Sequence, residues 1–150
     1  MRTVCSVLLL LLVSGVADAR DETVQELKQR YESTHAEDRP ELAIRIARHQ
    51  VIHADRFYTE GKVEEAGAAV EDIVAYSEKA RDAAIQTRKH LKEIEIDIRK
   101  MAEKLRDIKR TLAFDDQPPV ERAIRRLEDA RTTLLKEMFS KEKKEKAERP

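Results

Sequence analysis

The stretch VEEAGAAVEDIVAYSEKARDAAIQTRKHLKEIEIDIRKMAEKLRDIKRTL, residues 63–112, carries one register of apolar and small positions from end to end. Val63, Ala66, Val70, Ile73, Ser77, Ala80, Ala84, Thr87, Leu91, Ile94, Ile98, Met101, Leu105, Ile108 and Leu112 follow one another in alternating steps of three and four. Such spacing is the seam of a helix packed along its length against other helices. No proline interrupts it, and its one glycine, Gly67, lies near the start. Read as continuous, about fifty residues at roughly 1.5 Å each make a rod of about 75 Å. The alternative is a break near Gln86 to Arg88, which would close the chain into a compact bundle.

The flanking segments supply partners for this rod. Before it, Asp38 is placed to cap a second helix, with Pro40 in its first turn and Glu41 at the positive end of its dipole. That helix runs to about Glu60 with Ala43, Ala47, Val51, Ala54 and Tyr58 on one stripe, and Gly61 provides the turn. After it, Phe114 to Pro119 stops the helix, because a double proline cannot sit in a helix interior. Asp116 or Gln117 can cap the restart, and a last helix presents Val120, Ala123, Ile124, Leu127, Ala130, Leu134 and Met138. A short first helix spans about Asp21 to Tyr31. The expected fold is all-α: a long central helix, about residues 62–112, with antiparallel helices packed on each half as a coiled-coil-like bundle.

The ends differ from this body. Arg2, an apolar run from Val4 to Val13 and Ala17-Asp18-Ala19 make the pattern of a signal peptide over residues 1–19. The run is shorter than the ~20 residues a membrane span needs. Residues 20–139 form the helical domain, and the charge run 140–150 has nothing to bury and is expected to fray or be disordered. The only cysteine, Cys5, falls within the signal, so the mature chain is expected to have neither disulfides nor thiol chemistry. The expected location is periplasmic or secreted.

Charged residues make up 40% of the chain and aromatics 4%, which favours thin helical packing over a thick core. The net charge of zero hides an asymmetry. Arg20 to Ala80 holds nine basic and fourteen acidic residues, whereas Arg88 to Arg110 holds nine and five. An acidic head and a basic tail attract one another weakly between molecules, in a salt-sensitive way.

Residues 47–80 also resemble one tetratricopeptide repeat. Ala54, Phe57, Gly61, Ala66, Val70 and Ile73 match the family's small, aromatic, glycine, small and apolar positions at steps of three, four, five, four and three. Gln50, His53 and Glu78 depart from it, standing where an aromatic, a leucine and a proline are usual. Repeat proteins generally need three stacked units, and no second copy follows Ala80. The resemblance implies a helical hairpin that binds a peptide or partner protein, without catalysis.

Chemistry is sparse. His49 and His53 stand at i, i+4 on one helix face, a spacing that can hold zinc, copper or haem. No glutamate follows His49, so the zinc-protease pattern is missing, and His53 beside Phe57 equally suits a packed structural imidazole. Serines lack a glycine-lined elbow, and the glycines form no phosphate loop. The sequence therefore points to a non-enzyme without a cofactor. The candidate binding residues are Gln50, His53, Phe57 and Tyr58; a metal site would use His49 and His53. The expected partner is a protein or a second copy of the chain. Nucleic acid is excluded by the mixed charge and scarce aromatics. Weak contact with an anionic surface falls to stretches such as Arg88-Lys89 and Arg122 to Arg126. The reading is an exported helical interaction or scaffold module, with a chaperone-like binder of unfolded clients and a metal or haem carrier as alternatives.

Overall fold

The computed structural model describes residues 22–147, with side chains through residue 140. The signal-peptide reading of residues 1–19 lies outside the described residues. Within them the chain is all-α: α1 (Val24–Ser33), α2 (Arg39–Thr59), α3 (Val63–Thr87), α4 (Leu91–Thr111) and α5 (Gln117–Ala147).

Local chemistry sets most of the boundaries. Thr23 and Glu26 form a reciprocal capping box that starts α1, the Glu26 amide donating to Thr23 Oγ1 at 3.3 Å and the Thr23 amide to Glu26 Oε2 at 2.8 Å. Pro40 sits buried in the first turn of α2. Asp38 occupies the cap position, but its carboxylate makes no capping bond. Its backbone is already right-handed helical (φ −96°, ψ −10°), not in the extended conformation that aims a cap side chain at the following amides. Gly61 (φ 72°) ends α2: the Lys62 amide donates to the Phe57 carbonyl and the Gly61 amide to the Tyr58 carbonyl, a Schellman closure. At the other turn, Phe114–Asp116 forms one 3-10 turn and Pro118 and Pro119 lie in the first turn of α5, where missing amides are harmless. Gln117 Nε2 does not cap α5 but donates back to the Leu112 carbonyl.

The seam of residues 63–112 is not one helix. It breaks between Thr87 and Leu91, where Arg88 (φ 56°) and His90 (φ 60°) both adopt the left-handed conformation. For a residue with a Cβ this costs roughly 1–2 kcal/mol each. Burial outweighs it. A straight spine would cover each half of the seam with one partner, whereas the broken one leaves Ile73, Ile98 and Leu105 at 0% exposure and Ile94 at 1%. Fully burying one such side chain contributes roughly 1.5–3 kcal/mol.

The break folds α4 back alongside α2. Arg48 pairs with Asp97 and Asp55 with Lys104 in one common register, so α2 and α4 run parallel. Lys89 Nζ reaches Glu37 at 2.8 Å and ties the joint to the start of α2. Glu78 pairs with Arg126 across α3 and α5, and Glu95 with Arg131 across α4 and α5. The main contacts join α2 to α3, α4 to α5, α3 to α5 and α2 to α4, with consecutive α3 and α4 meeting least. The four long helices thus stand at the corners of a square in the order α2, α3, α5, α4. α1 covers part of α2 and α3, burying Leu27 and setting Tyr31 edge-on to Tyr76 at 5.8 Å. α5 continues to Ala147, into the charge run expected to fray; lysine, glutamate and alanine are strong helix formers.

Candidate binding groove

Of the four sides of the square, α2 and α4 approach each other least, and a furrow remains along that side. On α2, Ile44, Arg45, Arg48, His49 and Ile52 recur at steps of one and three, a second stripe beside the core stripe. His90, just before α4, and Glu93, Ile94 and Asp97 on it answer that stripe. Together they enclose a hollow of about 500 Å³, adjoined by a second of about 270 Å³ that extends over Val51, Met101 and Lys104. Arg48, Ile52 and Asp97 line both hollows, so the two form one groove.

The floor is apolar: Ile44, Val51, Ile94 and Met101 line it and are otherwise buried. Ile52 is 65% exposed at its edge, an apolar side chain left in solvent although the helix could place a polar one there. Charges line the rims. Arg48 Nη1 spans the groove toward Asp97 Oδ2 at 3.9 Å, and Lys104 Nζ meets Asp55 Oδ2 at 2.8 Å at the far end. Arg45 and Glu41 stand at the near end with His49, His90 and Glu93. The arrangement suits an apolar guest with flanking polar groups. It offers no nucleophile paired with a base.

The expected site residues are dispersed. His49 lines the groove, but His53 does not; it lies edgewise on Phe57 with ring centroids 6.0 Å apart. Burial, then the nearby Arg56 and His49 charges, hold the His53 imidazole below its ordinary pKa, which favours its neutral form. The Arg56 guanidinium stands 5.0 Å from the Phe57 ring centre and Lys62 Nζ 6.0 Å, so Phe57 is ringed by cations at the end of α2. Gln50 is 7% exposed and donates to Asp72 Oδ2, which also accepts from Lys28. It fastens α2 to α3 and lies inside the packing, away from any open surface. Tyr58 is half-buried against the core, its hydroxyl pKa raised by burial first and then by Asp116. Among the described residues, no three His, Cys, Asp or Glu side chains gather as a metal site.

Sequence reasoning missed Ile52 and the α4 wall. The signal for Ile52 was its place beside Arg48 and His49, off the stripe that faces the core. The α4 wall had no local signal, since only the break at 88–90 brings it to α2.

Among the described residues, the fold and groove define an all-α bundle with an open apolar furrow. Comparison with protein-family models, curated proteins and solved structures returns no match to this chain.

Proposed function

We propose that this protein is an exported, non-catalytic helical interaction module whose α2/α4 groove receives an apolar segment of a partner protein. The observation that carries the reading is Ile52, 65% exposed over an apolar floor and between charged rims. Large exposed apolar side chains beside a shaped furrow mark interaction surfaces more often than single scattered ones do. The resemblance of residues 47–80 to one tetratricopeptide repeat implies the same kind of binding, to a peptide or partner protein.

A photo-crosslinking residue at position 52, compared with one at Ala75 on the exposed side of α3, tests this in the native cells. The expected result is a discrete protein adduct from position 52 alone, lost when Arg48 and Asp97 are both replaced by alanine. Equal adducts from both positions, or none from 52, would overturn it. N-terminal sequencing of the cell-derived protein tests export, with a start near Arg20 expected.

A second reading is a chaperone-like binder of unfolded clients. Val63, Phe114 and Phe139 are also exposed large apolar residues, and they lie apart from the groove. Suppressed aggregation of a denatured test protein at near-stoichiometric ratio, unchanged by Ile52→Asp, would favour it over the groove.

A further inference from the structure

The joint between α3 and α4 is built unlike the other two long-helix connections. Gly61 supplies the left-handed position at one turn, and Pro118-Pro119 restart the chain at the other. Residues 87–90 contain neither glycine nor proline, and none occurs anywhere between Ala68 and Gln117. Two side-chain-bearing residues, Arg88 and His90, nevertheless take the left-handed conformation within three residues. The seam meanwhile crosses the joint without a slip: Ala80, Ala84, Thr87, Leu91, Ile94 and Ile98 keep the alternation of three and four. Thr87 Oγ1 bonds the Ala83 carbonyl, a helix-compatible contact, and His90 makes no capping bond with its side chain. The joint thus carries no helix breaker and keeps the helical register of the seam.

Each side of the joint is a helical hairpin, and the two share one continuous core. α2 and α3 form one hairpin with α1 across it, and α4 and α5 form another. The contacts that join them, chiefly α2 with α4 and α3 with α5, need only the complementary hairpin, whichever chain supplies it. Short strained hinges between such units are the usual setting for exchange.

We propose that residues 87–90 are a hinge through which the chain exchanges its α4–α5 hairpin with a second copy of itself. In the exchanged dimer α3 and α4 fuse into one helix from Val63 to Thr111, about 73 Å long at roughly 1.5 Å per residue. Arg88 and His90 return to right-handed helix, and the tie from Lys89 to Glu37 is given up. The α2/α4 groove then has one wall from each chain. This inference does not depend on what the groove binds.

Sedimentation equilibrium and small-angle scattering test it on the full chain, refolded from denaturant at high and at low protein concentration. Expected after concentrated refolding is a dimer that dissociates slowly on dilution, with a longest dimension well beyond that of the monomer. Arg88→Gly with His90→Gly relieves the left-handed strain and weakens a straight helix, so the dimer dissociation constant should rise at least about 100-fold. Lys89→Ala removes the tie and improves helix propensity, and should lower it several-fold. A chain that stays monomeric after concentrated refolding overturns the exchange. So does a dimer indifferent to the glycine pair. A compact dimer abolished by Ile52→Asp overturns it too, and instead makes the groove a self-association surface. The crosslinking test of the groove stands or falls separately, because it reads adducts at position 52 and not oligomeric state.

Discussion

The α2–α3 hairpin and the α4–α5 hairpin solve the same packing problem with different mixtures of small and large side chains. The first is rich in small residues, with Ala43, Ala47, Ala54, Ala66, Ala69 and Ala80 buried beside Ile46 and Ile73, and it makes the most extensive backbone approach among the described residues. The second interlocks large side chains, among them Ile98, Leu105, Leu127 and Leu134 at 0% exposure, and adds ion pairs of Arg131 with Glu95 and of Arg106 with Glu128. Close backbones gain dispersion energy but leave no room for additions; interlocked side chains hold more apolar area and suffer from deletions. The comparison teaches that the two halves should fail in different ways.

The largest effect is expected where large side chains interlock. Ile98→Ala should destabilise by about 2–5 kcal/mol through lost transfer energy and a residual cavity. Urea unfolding monitored by circular dichroism measures it, and a change no larger than that of an exposed-site control would break the comparison. Second is the alanine hairpin: Ala47→Leu should cost about 1–3 kcal/mol by overpacking, whereas Ile98→Leu, which conserves volume, should cost less. If both enlargements at alanine sites and truncations at leucine sites cost alike, the two halves are not differently built.

Smaller is Ser77, fully buried in α3 with its hydroxyl the one buried side-chain polar atom lacking a hydrogen-bond partner among the described residues. Ser77→Ala should raise stability by up to about 1 kcal/mol, since it removes a desolvated group and adds no volume. A loss of stability would mean the hydroxyl has a partner after all. Smallest is His53. Its folded pKa is depressed, by burial first, so the unfolded chain takes up this proton at higher pH than the folded one. Its contribution is therefore complete above the ordinary imidazole value, about 6.5, and fades as the pH falls through the folded value. His53→Gln should flatten the melting temperature against pH in that window, and an unchanged slope would remove the histidine from the account.

Much of this fold was legible because its signals are local. Pro40, Gly61 and Pro118-Pro119 mark boundaries through backbone chemistry, and the seam marks which faces are buried. The break at Arg88 to His90 was not legible as the preferred outcome, because no residue there breaks a helix; contacts between distant segments decide it. The same blindness affected the site. His49 was visible as half of an i, i+4 pair, but its groove partners on α4 come from beyond the break. Gln50 reads as a binding residue in the sequence because nothing local reveals that it is buried and bonded to Asp72 of α3. At the other extreme, the helix past Ser140 accords with the strong helix propensity of lysine, glutamate and alanine.

The Gly61 turn also bears on the order in which the molecule folds. Its tight Schellman closure brings α2 onto α3 across a very short loop, so little chain entropy is lost when that hairpin forms. The turn between α4 and α5 is comparably short. Contacts of low sequence separation form early, and those between the hairpins must wait for both. The left-handed pair at Arg88 and His90 gains its compensation only on docking, so it should be absent from the folding transition state. Substitutions there would then change the unfolding rate and leave the folding rate almost untouched.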